Sequence, residues 1–220
     1  MTNKRSSIFV IATTLLCLAT AAVAGDTTLI RHESTFLRDS DFQLNSGWLI
    51  HNSDRIQYQL YAFYETGGGT WNDLNACVGP LFHSELGTLS LPVGMRLHPE
   101  EGWRLSHAIT KANFFGRVGS FPLFLVNDLS WALGGKGSNE HFLQQQLAWQ
   151  PKDSRVGLGV QAEQVLVGSQ VVSAKLGPVL KLTYAKSANW AWTLDVIPFR
   201  DLHSHTSGVK LNFITLHFGK

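Results

Sequence analysis

The stretch of residues 87–98 reads GTLSLPVGMRLH and alternates strictly between two kinds of residue. From Leu89 to Leu97 every odd-numbered position is apolar, whereas the even-numbered positions between them carry serine, proline, glycine and arginine. In an extended chain successive side chains point to opposite faces, so this pattern predicts a β-strand with one apolar face.

Four further stretches repeat this alternation: residues 56–65, 156–163, 171–184 and 190–197. Clusters of Gly, Pro, Asn, Asp and Ser separate such stretches at fairly even intervals, and these residue types favour turns. Counting the segments between turns predicts about twelve strands of roughly ten residues each, with ten strands as the alternative. The predicted fold class is therefore all-β, as one antiparallel up-and-down arrangement without a second domain.

The composition excludes several classes of protein. The chain has 220 residues, enough for one domain with a sizeable core or for one closed barrel. Charged residues make up 15% of it, below the roughly 25% of typical soluble domains. Aromatic residues reach 11%. This balance argues against intrinsic disorder and against a solvated helical bundle. Beyond residue 24, no run approaches the roughly 20 apolar residues of a membrane helix.

The N-terminus has the pattern of a secretory signal. Lys4 and Arg5 precede an apolar run over residues 8–22, and Ala22-Val23-Ala24 places small residues where a signal peptidase reads them. We therefore expect a signal peptide over residues 1–24 and a mature domain over residues 25–220. The apolar run is short for a membrane anchor, and the leucine before Cys17 disfavours a lipoprotein signal.

Cleavage there would leave a neutral chain with one cysteine. The full chain has 18 Lys plus Arg and 16 Asp plus Glu, and the signal contains two of the basic residues and none of the acidic ones. A neutral chain without a basic block is a poor nucleic-acid binder, so we expect no nucleic acid among its partners. Because only Cys77 remains, the exported fold must do without an internal disulfide.

The placement of tryptophan favours a membrane barrel over a soluble β-sandwich, which also alternates with period two. Trp71, Trp103, Trp149 and Trp190 all fall at or near predicted strand ends. At such positions an indole can bury its ring and keep its N–H among lipid headgroups.

The last segment of the chain also favours a membrane barrel. Ile214, Leu216 and Phe218 occupy alternate positions close to the C-terminus. They resemble the terminal strand by which bacterial outer-membrane barrels are recognised for assembly, although two residues follow the phenylalanine. The chain from about Asp26 onward thus resembles the small outer-membrane β-barrels of Gram-negative bacteria. The resemblance implies a single closed, antiparallel, up-and-down transmembrane β-barrel over residues 25–220. It also implies a location in the bacterial outer membrane, with outer-membrane lipid and the barrel-assembly machinery as partners.

Charged and amide residues in mid-strand should face the interior of such a barrel, because a base facing lipid at the midplane costs about 2–4 kcal/mol. By strand parity the predicted lumen residues are Gln57, Gln59, Glu65, Asp73, Asn75, Arg96, Gln161, Glu163, Lys175, Lys181, Asp195 and Lys210. Gly157, Gly159 and Gly177 share that face and should leave volume for water. We expect a small passive channel for ions or small polar solutes, or else a structural barrel whose interior charges satisfy one another.

The sequence supports a catalytic or metal site less well than it supports a polar lumen. In an extended chain Asp201, His203 and His205 share one side, but no fourth ligand is evident, so we expect neither a metal nor another cofactor. Ser106 and His107 are adjacent and should point to opposite faces, which does not suit a nucleophile and its base. No Gly-x-Ser-x-Gly elbow is present in the sequence. We therefore expect a protein that is not an enzyme.

Two alternatives remain open from the sequence. One is an outer-membrane lipid-modifying hydrolase, which would need a nucleophile and a base on one face of the sheet. The other is a soluble exported β-sandwich or lipocalin-like ligand-binding protein, which would place the apolar face inside.

Overall fold

The computed structural model describes residues 26–38, 43–53, 57–67, 70–98, 104–118, 121–134, 138–151, 154–186 and 189–218. Within these residues the chain forms thirteen β-strands. They are β1 (Thr27–Leu37), β2 (Gln43–Ser53), β3 (Tyr58–Gly67), β4 (Thr70–Ser84), β5 (Gly87–Ser90), β6 (Val93–His98), β7 (Arg104–Val118), β8 (Phe121–Ala132), β9 (Glu140–Trp149), β10 (Val156–Val167), β11 (Gln170–Lys186), β12 (Trp190–Asp201) and β13 (Ser207–Phe218). No helix in the described part of the chain is long and apolar enough to cross a bilayer. The predicted signal peptide lies outside the described residues.

The strands close into one antiparallel barrel. Apart from β5 and β6, strands that follow one another in the chain are paired in the sheet, and β1 pairs with β13 from Thr27↔Phe218 to Leu37↔Gly208. Strands β5 and β6 both lie between β4 and β7, so they are two halves of one wall strand. The wall therefore has twelve strands, which confirms the predicted closed up-and-down barrel.

The strand that reads GTLSLPVGMRLH is interrupted at Leu91 and Pro92. Proline has no N–H to donate to the ladder, which is why strands break there. The backbone N–H of Leu91 still donates to the carbonyl of Pro80 over 3.1 Å, and Lys111 N–H donates to the carbonyl of Pro92 over 2.8 Å. These two bonds hold the broken strand in the wall, so the alternation of its side chains continues across the break.

The apolar face of the barrel is its outer face. Val93 and Met95 on β6 are 54% and 55% exposed, and Leu158 on β10 is 58% exposed. The alternate positions of the same strands point inward. A soluble fold with the apolar face inside is therefore not the fold of this chain. Trp149 and Trp190 lie at strand ends and are partly exposed, whereas Trp103 and the side chain of Trp71 lie outside the described residues.

The two ends of the barrel are called the near end and the far end. The near end carries Thr27 and Phe218, the paired ends of β1 and β13. The far end carries the turn between β12 and β13, which begins at Asp201. Inside the barrel, the buried side chains of Ile50 and Tyr61 form an apolar cluster with those of neighbouring strands.

Candidate functional site

The structure places eleven of the twelve predicted lumen residues on the inner face of the wall. Adjacent strands bring Asn75 opposite Arg96, Glu163 opposite Lys175, and Lys181 opposite Asp195. The others on this face are Gln59, Glu65, Asp73, Gln161 and Lys210. Gln57 is different, because it lies in the turn before β3 with an exposed side chain and a φ of 50°. The prediction that Gln57 belongs to a strand was wrong.

Glu163 is the centre of a buried ion-pair network. Its carboxylate accepts hydrogen bonds from Lys175, over 3.0 Å, and from Lys210. Lys210 also contacts Glu33 over 2.8 Å, so one ammonium group bridges two carboxylates. Lys210, Glu33 and Glu163 are nearly fully buried, whereas the side chain of Lys175 is 20% exposed. Because each charge faces an opposite one, this network offsets the cost of keeping them in the interior.

The network continues through Arg31 and crosses the barrel. Arg31 pairs with Glu33 over 2.8 Å and donates to the side-chain oxygen of Gln144 over 3.2 Å. The guanidinium also lies 4.4 Å from the ring centre of Trp48, a cation–π contact. Arg31 is on β1 and Gln144 is on β9, so this contact bridges the lumen. We call the contacts among Arg31, Glu33, Gln144, Glu163 and Lys210 the cross-lumen bridge.

Two smaller ion pairs flank the bridge. Asp195, fully buried, is 2.8 Å from the ammonium of Lys181 and accepts from the Gln146 amide over 3.1 Å. Lys111 pairs with Asp128 on the neighbouring strand, and its ammonium lies 4.2 Å from the ring centre of Tyr61. Lys181 keeps 18% of its side chain exposed, so its charge reaches the interior space.

A further charged group lies towards the far end. Arg96 on β6 contacts Glu140 on β9, donates to the Ser130 hydroxyl over 3.0 Å and lies 3.8 Å from Asp73. Asp73 is in turn 2.9 Å from the imidazole of His98. The contact from β6 to β9 skips two strands, so it narrows the lumen at this level.

Buried amides complete the inner face on the side of β3. Gln59, which is fully buried, accepts hydrogen bonds from Ser90 over 2.8 Å and from Asn113 over 3.2 Å. Its amide nitrogen donates to Asn52 over 2.7 Å. These hydrogen bonds join β2, β3, β5 and β7 on the inner face of the wall.

The glycines of β10 and β11 do not leave the volume that the sequence predicts. A Cβ on Gly159 would lie 2.3 Å from the carbonyl oxygen of Leu147, and a Cβ on Gly177 would lie 2.1 Å from that of Pro198. At these two positions glycine allows the backbone of the adjacent strand to come close. The expectation of added space for water there was wrong.

Interior space is found instead at the near end. A chamber of about 630 Å³ is lined mainly by apolar side chains, among them Leu29, Trp48, Phe124 and Leu216. Arg31, Lys181 and Asp195 also line it. The interior is thus divided between an apolar near end and a charged middle and far end. Strand parity predicts the face of the wall on which a side chain lies, but not its height along the barrel axis. It therefore did not predict this division.

Asp201 stabilises the far turn of β12 and β13. Its carboxylate accepts from the Ser173 hydroxyl over 2.7 Å and from the backbone N–H groups of Ala174, His203 and Ser204. Burial alone would raise the pKa of Asp201, but these hydrogen bonds, led by that of Ser173, outweigh it and lower the pKa to about 2. In the described part of the chain, no three His, Cys, Asp or Glu side chains are grouped to hold a metal ion.

Ser106 and His107 are closer than the sequence predicts. Their side chains lie 2.9 Å apart, from the hydroxyl to Nδ1. The register shifts here, since Arg96 pairs with His107 whereas Leu97 pairs with Leu105. Ser106 is therefore the extra residue of a β-bulge, and a bulge disrupts the usual alternation of faces. The argument that the two side chains must point apart was wrong.

A closed twelve-stranded barrel with an apolar outer face and charges inside has the fold of the small outer-membrane β-barrels. Neither a protein-family model nor a curated protein matches the sequence. Solved structures do match, and several of them are outer-membrane porins or channels. The chain is similar to the NanC porin, with a TM-score of 0.59, 8% identity, and coverage of 87% of this chain and 100% of that one.

Two other solved structures show the same fold. The KdgM porin gives a TM-score of 0.53 at 9% identity and covers 88% of this chain and 99% of its own. The COG4313 outer membrane channel from Pseudomonas putida F1 gives 0.53 at 10% identity and covers 89% and 96%. One KdgM porin structure is a complex with disordered oligogalacturonate. At these low sequence identities, the similarity to the three structures shows a shared barrel fold.

Proposed function

We propose that this chain is an outer-membrane protein that forms a narrow channel for ions or small polar solutes. The observation that carries the proposal is the inner face, where Lys175 and Lys181 keep 20% and 18% of their side chains exposed inside a closed barrel. Charges that face interior space can attract and screen a passing ion. The outer face supports the membrane location, because an exposed apolar wall is stable against hydrocarbon.

The proposal includes the route to the membrane. Residues 1–24 act as a cleaved signal, the barrel-assembly machinery inserts the mature chain, and outer-membrane lipid surrounds it. The near end, with both barrel termini, faces the periplasm. A solute then meets the apolar chamber on one side and the charged far end on the other.

The conductance should be small for twelve strands. The cross-lumen bridge spans the middle of the barrel, and the apolar near chamber holds water weakly. Three bases and two acids, Lys175, Lys181, Lys210, Glu163 and Asp195, line the late strands, so we expect a slight preference for anions. The oligogalacturonate found with a KdgM porin is an anion, and it supports this direction of selectivity for a barrel of this fold.

Planar-bilayer recording tests the channel. Gln144 is buried, and its side-chain oxygen accepts a hydrogen bond from Arg31 across the lumen. Gln144→Ala should open the bridge and raise the size of the current steps. The matched control is Gln145→Ala, because this neighbouring amide points outward and is exposed. Steps that are unchanged in Gln144→Ala, or that change equally in Gln145→Ala, would contradict the cross-lumen bridge as the constriction, whereas the absence of steps in the folded wild type would contradict the channel.

The second candidate function is a closed, structural barrel. The cross-lumen bridge favours it, since paired charges stabilise the interior without any transport. In that case neither the wild type nor Gln144→Ala conducts, although both are folded.

A further inference from the structure

The ion-pair network in the middle of the lumen holds one more positive charge than its carboxylates neutralise. Arg31 pairs with Glu33, and Glu33 also pairs with Lys210. Lys210 in turn pairs with Glu163, and Glu163 pairs with Lys175. Within the described residues this network therefore joins three bases to two acids, which gives it a net charge of +1. A buried charge without an opposite one is costly, and a bound anion removes that cost.

Arg31 is the member of this network that an anion can reach from the near chamber. It lines the chamber, whereas Lys175, at the other end of the network, does not. The guanidinium lies 4.4 Å from the ring centre of Trp48 and 5.9 Å from that of Phe124. Its Nε is buried and has no hydrogen-bond partner among the described residues. One donor of Arg31 is therefore unused beside the chamber.

The other charged residues that line the chamber do not oppose an anion at Arg31. Lys181 and Asp195 are 2.8 Å apart and form a neutral pair. Glu85 lies in the exposed turn between β4 and β5 at the near end, where solvent screens its charge. Because this turn also lines the chamber, the chamber reaches the near mouth of the barrel.

Between the near mouth and Arg31 the chamber has apolar walls. Leu29 pairs with Leu216, two residues nearer the near end than the pair of Arg31 and Ile214. The chamber measures about 630 Å³, within the roughly 300–1,000 Å³ of small-molecule sites. Such sites combine apolar and aromatic walls with a few placed polar groups, which is the composition found here. A path for ions alone does not need such walls.

We propose that the near chamber is a binding site for a monocarboxylate with an apolar tail, such as a medium-chain fatty acid. The carboxylate accepts a hydrogen bond from Nε of Arg31 and balances the excess charge of the network. The tail extends from there towards the near mouth and packs against Leu29 and Leu216. The inference goes beyond the channel, because it requires only the closed barrel and its chamber.

Both parts of the ligand are needed for tight binding. A small anion without a tail gives up its hydration on entering the chamber and gains no apolar contact in return. An apolar alcohol fills the walls but leaves the excess charge of the network without a counter-charge. A carboxylate with a tail combines a charge-assisted hydrogen bond with the burial of apolar surface.

Calorimetric titration of the mature protein with octanoate at pH 7 tests the site. The barrel is held in phospholipid nanodiscs, because detergent tails would compete for the chamber, and the heat from empty nanodiscs is subtracted. Octanoate should bind to one site per barrel. Its affinity should be at least about tenfold higher than that of acetate, which has no tail, and of octanol, which has no charge.

Two variants separate the charge from the space. Arg31→Gln leaves Glu33 paired with Lys210, so the barrel should fold, and it should weaken octanoate binding at least about tenfold without changing that of octanol. Ile214→Trp fills the chamber beside Arg31 and should abolish binding.

Each variant has a matched control. Arg200→Gln removes an exposed base near the far end of β12, and Phe213→Trp changes the outward neighbour of Ile214, which is 46% exposed. Both controls should bind octanoate as the wild type does. Heat modification of gel mobility shows that each protein is folded.

Three results would overturn the proposal. They are the absence of octanoate binding in the folded wild type, equal affinity for acetate or octanol, and binding that survives Arg31→Gln or Ile214→Trp in folded protein. The titration needs no current, so failure of the channel in bilayer recording would leave the binding site standing.

Discussion

At the scale of the residue, Asp201 links the stability of the barrel to pH. Its carboxylate accepts four hydrogen bonds, and its pKa is lowered to about 2. An unfolded aspartate titrates near pH 3.9, so the unfolded state binds its proton first as the pH falls. The stabilisation by Asp201 is therefore fully present above about pH 4 and is lost as the pH falls through about 2.

Asp201→Asn should lower the free energy of unfolding by about 1–2 kcal/mol at pH 7, because the hydrogen bonds lose a charged acceptor. The difference from the wild type should shrink between about pH 4 and pH 2. Urea unfolding in detergent at a series of pH values measures both effects. Glu85→Gln, in an exposed turn at the near end, is the control. A difference that persists unchanged at pH 2 would contradict the role of the charge.

Part of the inner face could be predicted from residue type and position in the strand. Strand parity placed Glu163, Lys175 and Asp195 on the inner face, because a charge in mid-strand has few other places to go. It did not find Arg31, Glu33 or Gln144, since no alternation was recognised in β1 or β9. Their contacts join strands far apart in the chain, so only the closed barrel brings them together.

At the scale of the element, β11 provides a test of the outer face. Leu180 pairs with Val196 near the middle of β12 and is 37% exposed. Leu180→Arg should lower the free energy of unfolding in a bilayer by about 2–4 kcal/mol, since the base then faces hydrocarbon near the middle of the membrane. Val172→Arg, eight residues nearer the far end on the same strand, should cost only about 0–1 kcal/mol.

Unfolding by guanidinium in phospholipid vesicles gives the two free energies. Equal costs at Leu180 and Val172 would contradict the placement of Leu180 deeper in the membrane than Val172. Detergent contacts measured by NMR at the outward Leu180 provide an independent check.

The elements themselves were largely predictable. Turn residues predicted the number of strands in the wall, and alternation located five of them, because those strands have one apolar face over most of their length. The break at Pro92 and the bulge at Ser106 were not predicted. Both depend on how a strand fits its neighbours, and the local pattern does not contain that information.

At the scale of the whole molecule, we predict where the protein is found in the cell. Expressed from its full gene, the protein should be recovered in the outer-membrane fraction, begin at Gly25, and run faster on a gel before boiling than after it. Mass spectrometry of the mature chain and the two gel mobilities check these outcomes. Recovery as a soluble periplasmic monomer, or with residues 1–24 retained, would contradict the proposed route.

The pairing of β1 with β13 also sets an order of events during biosynthesis. The ribosome makes Thr27 early and Phe218 late, yet each is the other's neighbour in the finished wall. Until the last hairpin has left the secretion machinery, both edges of the growing sheet lack a partner and can join a foreign strand. Copies of the chain must therefore be kept apart until the last strand has been exported and β1 has paired with β13.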